Sequence, residues 1–232
     1  MDAALIPLLA ASIAFVGSHF AMSHPLRAPM VRALGEKGFL GVYSLVSLGT
    51  FAWMIWEFRN SPSRMEPVWS GYDEVSWTIA SLLTIVALVL LLGSFRGNPA
   101  LPHPDEKPKF EREPRGVFRV TRHPMMWAFG LWGIAHILIM PTGRTLIFAG
   151  AITLLALLGA HMQDRKKRAA IGADWRAWES KTSYWPRWLQ LAYAGWGKWI
   201  AAILLWLFLT WAHVWLAYVP AGIWRWVPGM LG

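Results

Sequence analysis

Six long apolar runs, separated by shorter polar stretches, organise this sequence. A transmembrane helix needs ~20 predominantly apolar residues to cross a hydrocarbon core of about 30 Å, and the fourth run is the shortest. The pattern predicts an all-α, polytopic membrane helical bundle of about six transmembrane helices, forming one domain over residues 1–232. The expected spans run approximately from Ala3 to Met22, Gly38 to Phe58, Val75 to Phe95, Met125 to Met140, Thr145 to Met162 and Ile200 to Val219.

Three connecting segments have patterns of their own. The segment from Trp175 to Trp188 interleaves tryptophans with basic residues, which predicts a cytoplasmic, interfacial helical segment along the bilayer surface. The segment from Asn98 to Glu113 is rich in Pro, Lys and Glu and is expected to be an exposed loop. Pro141-Thr142-Gly143 is a tight turn, so the fourth and fifth helices should form an antiparallel hairpin.

Composition and charge narrow the class of protein further. The chain is 56% hydrophobic and 15% charged, with a formal net charge of +9 and no cysteine. The lack of cysteine excludes disulfides, thiolate metal ligands, a cysteine nucleophile and covalently attached c-type haem. The basic residues border the apolar runs and alternate with tryptophan, so they indicate contact with membrane lipid and not with nucleic acid.

The distribution of Lys and Arg predicts an orientation, because cytoplasmic loops carry the excess of positive charge. Eighteen of the 22 basic residues fall in the first, third and fifth connections, and four fall in the even connections and the C-terminal tail. The first run also lacks the basic flank and the cleavage site of a signal peptide, so we expect it to be retained. The sequence therefore predicts a multi-pass protein with both termini outside the cytoplasm.

Histidine is the main candidate for chemistry, because the middle of every expected span lacks Asp, Glu, Lys and Arg. Imidazole is a good axial ligand for haem iron, so a bis-histidine haem is the metal site that this composition most easily permits. At ~1.5 Å per helical residue, His136 and His213 have similar depths, whereas His19 lies nearer the cytoplasmic end. Depth favours the pair His136 and His213. A hydrogen bond across the helices, without a metal, is the alternative interpretation.

A second candidate site is the entry to the fourth helix, from Gly116 to Pro124. Proline suits the first position of a helix, and the unpaired N-terminal amides of a helix can bind an anion. Arg119 and Arg122 would reinforce such a site for a lipid headgroup, a haem propionate or a cofactor carboxylate. An ordinary basic flank of a membrane helix would have the same residues, so both interpretations stay open.

The residues around this entry resemble a known family. The run Phe118-Arg-Val-Thr-Arg-His-Pro-Met-Met-Trp127, continuing to Leu131-Trp-Gly-Ile-Ala-His136, is similar to the signature of the NnrU family, as are Gly17-Ser-His19 and Asp164-Arg165. NnrU proteins are bacterial membrane proteins associated with nitrite and nitric oxide reduction, and the related zeta-carotene isomerases hold haem b. The resemblance implies a protein of the bacterial inner membrane, with periplasmic termini, haem b and redox, denitrification-linked or isomerase-like chemistry.

The isomerase resemblance also implies roles for single residues. It places axial haem ligands at His19 and His136, and it places Gly133 where that branch has a cysteine implicated in redox-linked ligand exchange. This departure leaves the isomerase's switching mechanism without its thiol here. Because depth separates His19 from His136 by several ångströms, His19 and His213 remain competing partners of His136.

The Arg-His-Pro entry is similar to a second group, the isoprenylcysteine and phospholipid methyltransferases, which are membrane enzymes that use S-adenosylmethionine. That resemblance implies that Arg122, His123 and Pro124 belong to a cofactor pocket. Those enzymes close the pocket with an acidic and aromatic C-terminal segment, and Glu179 and Tyr184 lie in the corresponding region here. The chain departs from that pattern because it then returns through the membrane.

The leading hypothesis is therefore an NnrU-type membrane protein that binds haem b through two histidines and acts as a redox protein or as an isomerase of an apolar polyene or lipid. Whether it is an enzyme stays open. One alternative is a non-enzymatic factor that assembles or supports a reductase through its basic face. The other is an S-adenosylmethionine-dependent methyltransferase.

Overall fold

A computed structural model describes residues 2–62, 66–99 and 113–227. Within these ranges the chain is helical and has no strand, which confirms the predicted fold class. The predicted loop from Asn98 to Glu113 lies almost entirely outside the described residues. The α-helices are α1 (Ile6–Ser23), α2 (Arg27–Asn60), α3 (Glu74–Ser94), α4 (Pro124–Ile139), α5 (Gly143–Ile171), α6 (Ala173–Lys181) and α7 (Trp196–Ala217). Short 3-10 helices cover Ala3–Leu5, Gly116–Arg119, Trp188–Ala194 and Gly222–Trp226.

Each predicted apolar run coincides with a helix. In the described part of the chain, α1, α2, α3, α5 and α7 are long and apolar enough to cross a membrane. Helix α4 is also apolar but has only 16 residues. At ~1.5 Å per residue it is about 24 Å long, which is less than the hydrocarbon core of about 30 Å. The protein is thus a membrane helical bundle with five long apolar helices and one shorter apolar helix, α4.

Two helices extend beyond their predicted spans. Helix α2 begins at Arg27, and its backbone breaks at Gly35, where φ is 71° and ψ is 169°. Glycine adopts this positive φ without the steric clash that a side chain would bring. Helix α5 continues past Met162 to Ile171. The basic residues expected in the first and fifth loops are therefore largely in helices. A helix of polar residues remains stable outside the lipid where it packs against the rest of the protein.

The apolar core forms two clusters, and α5 contributes to both. One cluster joins α1, α2 and α5 around Leu8, Phe15 and Met54. The other is built mainly from α3, α4, α6 and α7, around Leu90 and Leu131. Helices α4 and α5 pack against each other along the hairpin that the Pro141-Thr142-Gly143 turn predicts. This hairpin is the frame on which the candidate sites lie.

The predicted interfacial segment is only partly at the surface. Trp175 and Trp178 of α6 are buried, and Trp178 packs edge-on against Phe118. Trp185 and Trp188, by contrast, are exposed. Five of the nine residues of α6 are exposed, so the helix lies at the surface of the bundle, while its two indoles complete the core beneath the entry to α4. The second half of the segment keeps its aromatic side chains available to lipid.

Candidate functional site

The structure brings two of the predicted histidines together. The ring centroids of His136 on α4 and His213 on α7 are 6.4 Å apart, with the ring planes inclined by 37°. The Nδ1 of His136 lies 2.7 Å from the carbonyl oxygen of Trp132, and the Nδ1 of His213 lies 2.7 Å from that of Leu209. A carbonyl accepts only from an N–H, so each ring carries its proton on Nδ1. The Nε2 atom is then the one that can bind a ligand or a metal.

The separation of the two rings suits one metal ion between them. Two imidazoles that bound one ion at about 2.0 Å, with about 1.2 Å from nitrogen to ring centre, would have centroids at most about 6.4 Å apart. The described residues contain no group of three or more His, Asp or Glu side chains that could hold a metal. A metal held by His136 and His213 would take its other ligands from outside these two side chains, and the macrocycle of haem is one such source.

Trp132 covers one face of the His136 ring. The two ring centroids are 4.1 Å apart and the planes are inclined by 35°. Trp132 also contacts Phe148 of α5 edge-on, at 6.4 Å between centroids. An aromatic side chain in this place restricts the rotation of the imidazole and keeps the surroundings of His136 apolar.

His19 lies among a different set of rings. Its Nδ1 is 2.7 Å from the carbonyl oxygen of Phe15, and its ring packs edge-on against Phe15 and Tyr43. Phe15 belongs to the cluster of α1, α2 and α5, whereas the rings of His136 on α4 and His213 on α7 lie near each other. The structure thus pairs His136 with His213. The assignment of metal ligands among these three histidines stays a prediction.

The entry to α4 holds a buried ion-pair cluster. The guanidinium of Arg122 donates to both carboxylate oxygens of Asp164, with Nε distances of 2.9 and 3.1 Å and an Nη2 distance of 2.5 Å. The Nε2 of His123 lies 2.8 Å from Asp164 Oδ1, and the imidazole is buried. Glu179 approaches Arg122 at 3.6 Å. Because a carboxylate accepts, His123 carries its proton on Nε2, the opposite tautomer to that of His136.

This arrangement separates the two arginines that the sequence suggested for one anion site. Arg122 is neutralised by Asp164, and Arg119 instead stacks on Tyr193, with its Cζ 4.2 Å from the ring centroid. The two arginines therefore have separate partners. Whether either of them binds a cofactor together with His123 stays a prediction.

A segment that follows α6 closes over this cluster. The Thr121 hydroxyl donates to the carbonyl oxygens of Ser183 and Tyr184, at 3.1 and 2.8 Å, and the Trp127 indole donates to the Tyr184 carbonyl at 2.9 Å. The phenol of Tyr184 donates to the Leu157 carbonyl on α5 at 2.7 Å. Burial raises the pKa of this phenol, and the nearby charge of Asp164 raises it further.

A cavity of about 490 Å³ lies beside the ion-pair cluster. Cavities of this size accommodate small-molecule ligands. Its lining is polar at one end and apolar at the other, and it includes Arg122, His161, Asp164 and Arg168 together with Leu157 and Leu158.

Sequence reasoning did not assign Asp164 to a site. A signal was present, since Asp164 is the first residue of Asp164-Arg-Lys-Lys-Arg168 and the only acid in that basic run. An acid in such a place predicts a specific basic partner. The partner itself, Arg122, was not predictable because it lies 42 residues away.

Comparisons with known proteins give a family and two relatives. The family model described as NnrU protein matches residues 7–221. The chain is 26% identical over 162 residues to the chloroplastic 15-cis-zeta-carotene isomerase of Arabidopsis thaliana, covering 67% of this chain and 42% of that protein. It is 25% identical over 192 residues to the chloroplastic 15-cis-zeta-carotene isomerase of Zea mays, covering 80% of this chain and 50% of that protein. The chain thus spans half or less of the length of these relatives. No solved structure matches it.

Proposed function

The chain belongs to the NnrU family over residues 7–221, and on this premise we propose that it is an isomerase-like membrane protein that binds haem b between His136 and His213. The 6.4 Å separation of the two imidazole centroids is the observation that carries the proposal. Haem, when bound, supplies an iron that accepts or donates single electrons. Denitrification-linked chemistry, a reductase partner and methyl transfer rest on family resemblance alone.

The two histidines have unequal surroundings. The hydrogen bond from His136 Nδ1 to the Trp132 carbonyl is partly buried, and the His136 ring is covered by Trp132. The hydrogen bond from His213 Nδ1 to the Leu209 carbonyl is exposed. A hydrogen bond from Nδ1–H to a carbonyl orients the ring and makes Nε2 a stronger ligand. If haem is bound here, His136 would be the more firmly held of the two ligands and His213 the more easily exchanged one.

The substrate class follows from the relatives and from the surroundings of the pair. Both curated relatives carry the name of an isomerase of a carotene, which is an apolar polyene. Trp132 and Phe148 line the His136 side of the site with apolar rings. We propose cis–trans isomerisation of an apolar polyene or lipid that enters from the bilayer. A test is the conversion of a cis polyene supplied in vesicles, followed by chromatography of the isomers.

Gly133 marks a difference in mechanism between this chain and the isomerases that it resembles. A Cβ at Gly133 would collide with the side chain of Thr153 and with the backbone carbonyl of Ala149. A cysteine therefore does not fit at this position without movement of α5. Any exchange of iron ligands in this chain must proceed without a thiol, because the chain has no cysteine.

An absorption spectrum of the full chain, purified in detergent from cells supplied with haem, tests the proposal. Two imidazole ligands predict a sharp Soret band and resolved α and β bands after reduction. His136→Ala should abolish the low-spin spectrum, and His213→Ala should convert it to a high-spin spectrum.

His19→Ala is the matched control, and it should leave the low-spin spectrum unchanged. A protein without any Soret band would overturn haem binding. A low-spin spectrum that survives His213→Ala but is lost in His19→Ala would overturn the proposed pairing and leave haem binding intact.

A further inference from the structure

The cavity beside the ion-pair cluster has a gradient of polarity along α5. Leu157 and Leu158, His161, Asp164 and Arg168 occupy successive turns of one face of the helix and all line the cavity. The distance from Leu157 to Arg168 along the axis is about 16 Å at ~1.5 Å per residue. Apolar side chains thus occupy the end within the membrane, and charged side chains occupy the end beyond it.

Two arginines at the charged end are held by carboxylates. Arg122 is bound through Nε and Nη2 by Asp164. Arg168 is bound through the same two nitrogens by Glu179, at distances of 2.8 to 3.0 Å. This pairing engages Nε and Nη2 of each guanidinium, so Nη1 is the nitrogen through which a ligand would be bound. A guanidinium that is already fixed in this way loses little further conformational entropy when it binds a phosphate.

The local charge also favours an anion. The charges of Arg122 and Arg168 are balanced by Asp164 and Glu179. The same stretch of α5 adds three more basic residues outside the cavity lining, Arg165, Lys166 and Lys167, and the further acid near them is Glu36, beside Lys166. The end of the cavity that holds the arginines is therefore in a positive field.

The rim explains how a lipid-soluble ligand would enter. Leu158 and Trp185 line the cavity and are exposed on the outside of the bundle, by 41% and 69%. Trp127 packs against Trp185, with centroids 5.5 Å apart, and forms the inner wall. An acyl or prenyl chain can lie along these side chains while its head stays at the arginines.

From these observations we propose that the cavity binds an amphiphile with a phosphate head, with the phosphate on Arg122 and Arg168 and the chain along Leu157 and Leu158. The site is separate from the histidine pair, which lies at the opposite end of α4. It is a second binding site of the protein, and it places an anionic lipid or lipid-like molecule at the basic end of α5.

Titration calorimetry of the full chain in a neutral detergent tests this site. The probes are dihexanoyl phosphatidic acid, dihexanoyl phosphatidylcholine, inorganic phosphate and S-adenosylmethionine. We expect the phosphatidic acid to bind at least ~10-fold more tightly than either the phosphatidylcholine or inorganic phosphate, since only it carries both an exposed phosphate and chains. Equal affinity for the two lipids would overturn the role of the arginines. Equal affinity for inorganic phosphate would overturn the role of the chain.

Variants locate the binding. Arg168→Gln should weaken phosphatidic acid binding about 10-fold, because Arg168 is half exposed and lines the cavity. Arg176→Gln is the matched control, an exposed arginine on α6 outside the lining, and it should bind like the unchanged protein. Leu158→Gln probes the apolar end separately and should weaken the lipid but not inorganic phosphate.

Three results would reject the site. Equal losses in Arg168→Gln and Arg176→Gln would mean attraction to general positive charge. Unchanged binding in both Arg168→Gln and Leu158→Gln would place the lipid elsewhere. Displacement of the lipid by S-adenosylmethionine would assign the cavity to that cofactor. The haem spectrum should be the same in all these variants, so failure here is distinguishable from failure of the haem proposal.

Discussion

Arg122 and Asp164 form a buried, two-pronged ion pair that joins the start of α4 to α5, across 42 residues of sequence. Their side chains are only 10% and 3% exposed. Burying two charges is costly unless each finds good partners, and removal of one partner leaves the other buried without compensation. The pair therefore makes the fold at this point sensitive to single substitutions.

Asp164→Ala should lower the free energy of unfolding by about 3–5 kcal/mol, because it strands Arg122. Thermal unfolding in detergent measures the change. Glu36→Ala is the matched control, since it breaks the Arg27–Glu36 pair, whose side chains are 37% and 53% exposed. Exposed pairs contribute about 0–1 kcal/mol. Similar losses in the two variants would contradict this ranking.

Gly133→Cys should destabilise the α4–α5 hairpin by about 1–3 kcal/mol, the usual result of overfilling a packed contact. The added Cβ would overlap the Thr153 side chain and the Ala149 carbonyl. Thr153→Ala in the same chain should recover part of the loss. Gly150→Cys, on α5, meets no atom within 4 Å and serves as the control. A Gly133→Cys protein as stable as Gly150→Cys would show that the helices move apart readily.

The stability of the protein should fall at alkaline pH through Tyr184. Burial and the charge of Asp164 raise the pKa of the phenol in the folded protein. Its stabilising effect is therefore fully present below the unfolded value of about 10 and is lost as the pH rises through the folded value. Unfolding followed from pH 8 upward should show a decrease that Tyr184→Phe makes smaller. Tyr218→Phe, at a tyrosine that is 82% exposed, should leave the decrease unchanged.

Arg225 clamps the C-terminal 3-10 helix, Gly222–Trp226, to the start of α3. Its Cζ lies 4.4 Å from the ring centroid of Tyr72 and 4.8 Å from that of Trp77. Each cation–π contact contributes about 0.5–1 kcal/mol. Arg225→Ala should increase hydrogen exchange in the 3-10 helix without changing exchange in α4. Equal exchange in the variant and the unchanged chain would mean that the bonds of Trp77 to the Gly222 carbonyl and of Trp224 to Thr210 hold the 3-10 helix without Arg225.

The predicted orientation can be tested directly, because the chain has no cysteine of its own. Single cysteines are introduced at Glu66 and at Asp174, which are both exposed. A membrane-impermeant maleimide should label Glu66→Cys in intact cells and Asp174→Cys only after permeabilisation. The opposite result would invert the topology. Labelling of both after permeabilisation provides the control for reactivity.

The membrane-spanning helices were predictable because a helix that crosses the lipid must be both long and apolar. The same reasoning could not predict how far α5 extends beyond the lipid. Basic residues such as Arg165 and Lys166 are as compatible with a helix in water as with a loop. It also could not show that Trp175 is buried, because tryptophan alternates with basic residues in the same way whether a surface helix exposes its indoles or buries them.

Only one part of the candidate site was predictable from the sequence, namely the part that depends on how deep each histidine lies in its helix. A fixed rise per residue placed His136 and His213 at similar depths, and the structure brings their rings together. Trp132, which an interfacial belt does not explain, contacts His136 and so belongs to that site. The partner of Arg122 was not predictable, because the choice of Asp164 depends on how two helices turn toward each other.

Helix α4 connects the two candidate sites, the ion-pair cluster at its start and the histidine pair at its end. His123 precedes its first residue and His136 lies near its last turn, about 20 Å farther along the axis. A helix of this length behaves as a stiff rod, so its two ends cannot be displaced independently. A ligand that moved His123 away from Asp164 would therefore also move His136 relative to His213, so the two ends of α4 are mechanically coupled.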